Sequence, residues 1–319
     1  MSTESVSGVR RARRGVGVAG SGRSPGGGKR GRAMSYTWTF LLLVLPSLLF
    51  LLLLNLYPVI YAGWQSLRNG DLIDAGAFVG FQNYVNVVQE PAFWHAAWFT
   101  LVFTVVGVFG SWAVGLGLAL LLRTRIPLGG FWKVLLLLPW VVPTVVSATS
   151  WNWLVATPQS PLPLLAQALG FGNVLFLADP TLAQITVCVF KVWISFPFMM
   201  MMMSSALASV DTNVYEASKV DGAGTWQTFT QITLPMISRT TYVSWILMTI
   251  FCVNDFPTIF LLTGGGPVNA TQSLVVLAYQ TVFQNYQVGP GVAIAFLMTI
   301  VLVIISVILY RQIRKVNIE

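Results

Sequence analysis

A few polar and aromatic side chains interrupt the long apolar runs of this sequence. Lys191 lies in VFKVWISF, and Asn254 and Asp255 lie in FCVNDFPTIF. Amide and carboxylate groups hydrogen-bond hydroxyls, and indole rings offer flat faces to C–H surfaces, a combination that suits a sugar. If the apolar runs cross a membrane, such residues are candidates for a solute pathway. The candidate pathway residues are Asn254, Asp255, Lys191, Trp193, Trp151 and Asn152.

Each candidate also has a purely structural interpretation, and the sequence leaves both open. Lys191 is the one basic residue in an apolar run without an evident partner, and its long stem could carry the charge to an interface. Asn254 and Asp255 could make a polar contact between two helices. The tryptophans could anchor helix ends at the membrane surface.

The sequence predicts no catalytic residue, no metal site and no nucleotide site. There is one histidine, His95, no HExxH motif, and neither cysteine has a second metal ligand nearby. Near the N terminus, GRSPG matches a nucleophile-elbow pattern but lacks the strand and helix that the elbow requires. GGGKR resembles the end of a phosphate loop, but Arg30 stands where Ser or Thr is needed.

The composition indicates an all-α membrane protein. The chain has 319 residues, of which 55% are hydrophobic and 9% charged, and its mean hydropathy is +0.74. A soluble domain carries about 25% charged residues. About 20 apolar residues cross a bilayer as a helix. Six such stretches are predicted, at residues 38–62, 95–122, 131–156, 182–209, 240–262 and 289–310.

The distribution of Lys and Arg predicts the orientation. Residues 1–34 hold eight of the eighteen and are rich in Gly and Ser, which predicts a disordered basic arm that faces lipid and not nucleic acid. Sixteen of the Lys and Arg residues fall in the arm and in the segments 123–133, 210–239 and 311–319. The connections on the other side of the membrane, 63–94, 157–181 and 263–288, contain only Arg68. Both termini are therefore predicted to be cytoplasmic, with a six-helix transmembrane domain over residues 35–319.

A polar segment, EASKVDGAGTWQTFTQITLP, follows the fourth predicted span on the cytoplasmic side. Within a loop over residues 211–239, it predicts two short helices around a bend. Asp211 is a suitable N-cap for the first, Gly222 permits the bend, and Thr225 is a suitable cap for the second. Pro235 is expected to end the segment, because the residue before a proline disfavours helix.

The second short helix is predicted to have one apolar face, formed by Trp226, Phe229 and Ile232. Two interpretations remain open on physical grounds. The segment could lie on the lipid surface as an amphipathic loop, or it could fit a groove on a cytoplasmic partner.

The spacing E-A-x(3)-D-G-A-x(8)-I-x-L-P resembles the EAA loop in permease subunits of binding-protein-dependent ABC importers. Ser218 replaces the second Ala of the usual triplet, and Arg239 stands where many relatives have Pro. In that family the loop forms the coupling helix that docks on the ATPase subunit. The resemblance therefore implies that the ATPase-coupling residues are Glu216, Ala217, Asp221, Gly222, Ala223, Trp226, Phe229, Ile232, Leu234 and Pro235.

A second block, LLTGGGPVNATQSLVVLAYQTVFQNYQVG, resembles the loop between the last two spans of sugar permeases of the maltose, lactose and glycerol-phosphate type. The resemblance covers about residues 35–315. At the end of the block, GPGVAIA (residues 289–295) fits the family pattern loosely. In maltose-type permeases the positions that match Asn254 and Asp255 contact sugar. The matching residues of the block are Thr263 to Pro267, Thr271, Leu274, Tyr279, Phe283 and Gly289.

The resemblance implies a multi-pass permease of the bacterial cytoplasmic membrane that imports a di- or oligosaccharide. Its expected partners are a dimer of ATP-binding cassette subunits, a second related permease, an extracytoplasmic solute-binding lipoprotein and the lipid bilayer. ATP and Mg would bind to the ATPase and no cofactor to this chain. A glycerol-phosphodiester or other non-sugar solute remains an alternative on the same scaffold. A secondary transporter is less favoured, because no internal repeat is evident.

Overall fold

The computed structural model describes residues 30–124 and 127–316. These ranges contain helices and loops but no strand, apart from an isolated bridge between Arg68 and Phe78. The helices are α1 (Arg30–Ser66), α2 (Gln82–Gln89), α3 (Pro91–Arg123), α4 (Gly129–Val141), α5 (Thr144–Val155), α6 (Pro161–Ala168), α7 (Pro180–Ala208), α8 (Thr212–Val220), α9 (Thr225–Gln227), α10 (Leu234–Val253), α11 (Phe256–Leu262), α12 (Leu274–Phe283) and α13 (Val288–Val316).

The prediction of an all-helical membrane protein with six apolar spans is confirmed, with one span bent. Five helices of the described chain are long and apolar enough to cross a bilayer. The third predicted span, at 131–156, is wrong as a single helix: α4 and α5 meet at 92°. Pro143 lies in the break, and a proline disfavours helical geometry in the residue before it, here the extended Val142.

The fifth predicted span, at 240–262, has the wrong bounds. Helical structure runs from Thr225 to Val253, where it stops. Asn254 and Asp255 form the break, and the short helix α11 follows. The two polar residues thus occupy a helix interruption and not the interior of a continuous helix.

The chain divides into two compact units between Pro58 and Val59, within α1. In the first unit, the described residues form one helical segment from Arg30, and its large apolar side chains from residue 38 onward are exposed, as suits a helix solvated by lipid. The described part of α1 includes residues 30–34 of the predicted basic arm. The rest of that arm, through residue 29, lies outside the described residues.

In the second unit, α3 and α7 pack against each other along much of their length. Glycines of α3 permit this close approach, as small residues do between membrane helices. A Cβ atom on Gly115 would lie 2.7 Å from the backbone nitrogen of Met200, and one on Gly110 would lie 2.7 Å from a side-chain methyl carbon of Val192. A buried apolar cluster that includes Phe103 and Phe190 fills the same interface.

The LTGGGP segment forms a tight loop after α11. Gly264 and Gly265 have φ angles of 62° and 94°, which favour glycine. Thr263 and Thr271 hydroxyl oxygens lie 2.7 Å apart, and the Thr271 hydroxyl donates to the carbonyl of Gly266 at 2.7 Å. The polar groups of the motif therefore stabilise one another within the loop.

Candidate functional site

A buried ion pair joins α7 to the break between α10 and α11. The Nζ of Lys191 lies 2.7 Å from Oδ2 of Asp255, and the two side chains are only 7% and 9% exposed. The ammonium also lies 5.9 Å from the centre of the Phe103 ring. The interpretation of Lys191 as an unpaired or snorkelling residue is therefore wrong: its partner is 64 positions away and the fold brings it into contact.

Asp255 also organises the start of α11. Its Oδ1 accepts a hydrogen bond from the backbone N–H of Thr258 at 3.1 Å, and its Oδ2 accepts from the Thr258 hydroxyl at 2.8 Å. This is N-cap geometry, and Pro257 is tolerated because it lies in the first turn of α11. Inside a membrane every freed polar group needs a partner, and the carboxylate supplies partners for the N–H, the hydroxyl and the ammonium.

A cavity of about 300 Å³ opens beside the ion pair. Asn254 is exposed at its wall; its Nδ2 donates to the carbonyl of Ile250 at 2.9 Å. Donors and acceptors thus face one space, with the charges of the ion pair balanced. The polar residues that line the cavity are Thr144, Lys191, Ser195, Asn254, Asp255 and Thr258.

Aromatic rings form the apolar side of this cavity. Trp140 and Phe251 line it, and Phe198 stacks against Trp140 with ring centres 5.2 Å apart. Trp140 and Phe251 are 39% and 44% exposed, so part of each ring is available for contact. Hydrogen-bonding groups opposite partly exposed aromatic faces make the cavity suited to a hydroxylated, uncharged solute.

Several of these lining residues were not identified from the sequence, although two had local signals. Ser195 lies four residues after Lys191 on the same helix and therefore on the same face. Thr258 lies three residues after Asp255, a capping spacing. Trp140 and Thr144 had no such signal, because only the 92° bend between α4 and α5 brings both to the cavity.

Three predicted pathway residues lie elsewhere. The Trp151 and Trp193 rings are 5.4 Å apart, and Phe190 packs against both. Asn152 Nδ2 donates to the carbonyl of Leu262 at 3.1 Å. These contacts tie α5 to α7 and α11, and none of the three residues lines the cavity beside the ion pair.

The polar segment after α7 begins with α8, as expected. Asp211 caps this helix, with Oδ1 accepting from the N–H of Asn213 at 2.9 Å. The outer face of α8 exposes Glu216 and Ala217. Ser218 is buried, and its hydroxyl donates to the carbonyl of Tyr215 at 2.8 Å. A small side chain is required there, which explains why Ser stands in for Ala in the EAA-like triplet.

The predicted bend is present at Asp221–Gly222. Gly222 has a φ of 77°, and a Cβ atom at this position would meet no neighbouring atom within 4 Å, so backbone conformation alone demands glycine. The N-cap of the second helix is Gly224 and not Thr225, which is its first residue. The Gln227 side chain accepts from the N–H of Gly224 at 3.0 Å and closes this end.

The prediction that Pro235 ends the segment is wrong. A π-helical turn spans Thr228–Thr233 and leads directly into α10, where Pro235 occupies the first turn. A proline is tolerated there because it lacks only an N–H that the wider turn leaves free. Trp226 is 74% exposed, whereas Phe229 and Leu234 pack on the core. Ala223, Ile232 and Leu234 are each partly buried.

Helix α8 packs against the ends of the long helices. The Arg123 guanidinium, at the end of α3, lies 4.4 Å from the centre of the Tyr215 ring. Tyr215 also packs on a buried cluster that includes Met203 and Leu207 of α7 and Ile237 of α10. A displacement of α8 would therefore act on α3, α7 and α10 together.

The chain is similar to known transport proteins over most of its length. Residues 111–317 match the family described as binding-protein-dependent transport system inner membrane component. The trehalose/maltose transport system permease protein MalF of Thermococcus litoralis is 33% identical over 86% of this chain and 92% of its own length. The sulfoquinovosyl glycerol transport system permease protein SmoG of Agrobacterium fabrum is 31% identical over 86% of this chain and 89% of its own.

A solved structure has the same fold. It is a bacterial alginate ABC transporter in complex with an alginate pentasaccharide-bound periplasmic protein, with a TM-score of 0.77 and 20% identity. The match covers 91% of this chain and 98% of the solved one. Since the family match and the curated relatives both extend over well more than half of the sequence, the chain belongs to the inner-membrane components of binding-protein-dependent transport systems, the multi-pass permeases of ABC importers.

Proposed function

We propose that this permease forms, with a second related permease, the membrane pathway for a di- or oligosaccharide. The observation that carries the proposal is the cavity beside Lys191 and Asp255, where amide, hydroxyl and aromatic groups face one space. Sugars bind through hydrogen bonds to hydroxyls and through contact of aromatic rings with their C–H faces. The trehalose/maltose relative supports the same solute class.

The charge balance of the cavity favours a neutral solute over a glycerol-phosphodiester. Lys191 is the one basic residue among those that line the described cavity, and it is bound to Asp255 at 2.7 Å. A phosphodiester carries a charge that needs a free cationic partner. Recruitment of Lys191 would leave Asp255 buried without its counter-ion, which is costly.

We further propose that residues 211–239 dock on an ATP-binding cassette dimer, which binds ATP and Mg. The exposed positions Glu216, Ala217, Asp221 and Trp226 form the surface offered to that partner. The turn at Gly222 sets the angle between α8 and α9. The contact between Tyr215 of α8 and Arg123 of α3 is the route by which cassette closure would act on the long helices.

The test is uptake into proteoliposomes that contain the complete importer and its solute-binding protein. Labelled trehalose, maltose and a glycerol-phosphodiester are compared under identical ATP conditions. We expect uptake of a sugar and none of the phosphodiester. Uptake of the phosphodiester with no sugar uptake would overturn the assignment. Asn254→Ala should impair sugar uptake while the complex remains assembled.

A further inference from the structure

A second and larger cavity, of about 610 Å³, lies at the opposite end of α3 from the Arg123–Tyr215 contact. α3 has 33 residues, so the two ends are about 50 Å apart at the helical rise. Given the proposed cytoplasmic position of residues 211–239, this cavity faces the extracytoplasmic side. Any protein that delivers solute to the permease must contact this end of the bundle.

The rim of the cavity is held by a dense hydrogen-bond network. Asn83 is buried, and its Nδ2 donates to the carbonyls of Ser66 and Arg68 at 2.8 and 2.7 Å. The Arg68 guanidinium donates to the carbonyl of Gly76 at 2.6 Å. A Cβ on Gly289 would collide with the carbonyl oxygen of Arg68, so α13 abuts this loop directly. The loop is therefore preorganised before any partner arrives.

The lining of this cavity is rich in hydrogen-bond acceptors and carries net negative charge. Two carboxylates, Asp71 and Glu90, line it together with amide side chains, whereas no Lys or Arg does within the described chain. Backbone N–H groups of Asp74 and Ile73 lower the pKa of Asp71, which keeps it ionised. Glu90 is exposed at the start of α3 but makes no side-chain capping bond, so its carboxylate is available.

We infer that this cavity is the docking site for a basic anchor side chain, Lys or Arg, of the solute-binding protein. The inference rests on the orientation and partners proposed above. An anchor residue in a preformed pocket is the arrangement that contributes most at protein interfaces. A carboxylate at the rim also accelerates encounter with a basic surface, so docking should weaken as salt concentration rises.

The test measures the affinity of the binding protein for the complete importer in nanodiscs, at low and at high ionic strength. Glu90→Lys should weaken docking about tenfold or more at low salt, and Glu90→Gln about threefold, with a smaller salt dependence in both. Asp74→Asn is the matched control, because Asp74 belongs to the same loop but does not line the cavity. Its affinity should equal that of the wild type.

A cysteine at position 90 gives an independent measurement. The native Cys188 and Cys252 are buried, so Glu90→Cys provides an accessible thiol for a short thiol-to-amine cross-linker. We expect a cross-link to a lysine near the anchor of the binding protein. Unchanged affinity in both charge variants, or an equal loss in Asp74→Asn, would overturn the inference.

The remaining outcomes separate this site from the proposed solute pathway. If Glu90→Gln leaves docking intact but weakens binding of labelled trehalose to the importer without binding protein, the cavity is a solute subsite and the inference is wrong. If docking depends on Glu90 but no sugar is transported, the proposed solute is wrong and the inference stands.

Discussion

The break at Asn254–Asp255 and the bend at Asp221–Gly222 interrupt helices by different physical means. At the first, one carboxylate bonds an ammonium, a hydroxyl and a backbone N–H, all within a buried part of the bundle. At the second, Gly222 adopts a φ of 77° in open surroundings. One interruption depends on side-chain charges, and the other on backbone freedom.

The difference follows from the solvent around each interruption. In a bilayer there is no water to satisfy freed backbone and side-chain groups, so the protein must supply every partner. At the membrane surface water does so, and only the backbone conformation has to be permitted. Loss of the Asp255 carboxylate at the buried break should therefore cost stability and transport together, whereas changes at the bend should affect coupling alone.

The largest effect is expected for Asp255→Asn, which leaves the buried Lys191 ammonium without a counter-ion. Loss of one partner of a buried pair costs about 3–5 kcal/mol. We expect a lower thermal midpoint of the purified importer and loss of transport. The double variant Asp255→Asn, Lys191→Met removes both charges and should recover most of the thermal stability. Equal midpoints for the single and double variants would show that the pair is unimportant.

A smaller effect is expected for Gly222→Val. Forcing a β-branched residue to positive φ costs about 1–3 kcal/mol, and no neighbouring atom adds a clash. Stimulation of ATP hydrolysis by loaded binding protein should fall, while the spans stay inserted. Gly224→Ala is the matched control, since Gly224 has a φ of −70°. Full cassette docking and full stimulation in Gly222→Val would refute the coupling role.

Asn254→Ala should have a still smaller effect, confined to the solute. A lost hydrogen bond is worth about 1 kcal/mol, which corresponds to a rise in KM of about fivefold. Asn152→Ala is the contrast, because Asn152 donates to the carbonyl of Leu262 away from the cavity. It should lower the thermal midpoint without changing KM. The comparison fails if Asn254→Ala destabilises the importer as much as Asn152→Ala does.

The smallest effect is expected at Asp71, a water-exposed counterpart of Asp255. Its Oδ1 accepts from the N–H groups of Ile73 and Asp74, which lowers its pKa below the ordinary 3.8. Because the folded pKa is lowered, the stability that the ionised Asp71 contributes is fully present above pH 3.8. It is lost as the pH falls through the folded pKa. The protection factors of the Ile73 and Asp74 amides, which are their exchange rates relative to the intrinsic rates at each pH, should fall only below about pH 4. In Asp71→Asn this pH dependence should disappear.

Much of the fold was predictable because it depends on short-range patterns. Length and apolarity identify spans without any knowledge of neighbours. The Asp211 cap and the Gly222 bend are local to a few residues and were also predicted. The prediction for Pro235 is wrong because the preceding π turn depends on how Phe229 and Leu234 pack against the core.

The candidate site was only partly predictable. Asn254 and Asp255 were recognisable as polar residues in an apolar run, and so was Lys191, but their roles were not. Nothing near Lys191 indicates a partner 64 positions away. Trp151 and Trp193 were equally good candidates by type, and they pack together with Phe190 instead.

By itself the sequence determined the class, the number of spans, the family motifs and the residues available for chemistry, because composition and spacing act over one or two helical turns. Only the tertiary structure decided which of those residues meet. The pairing of Lys191 with Asp255 requires α7 and the α10–α11 break to be adjacent, and Trp140 and Thr144 reach the cavity only through the bend between α4 and α5. Contacts between distant segments arise from how helices pack, and no local pattern encodes the packing.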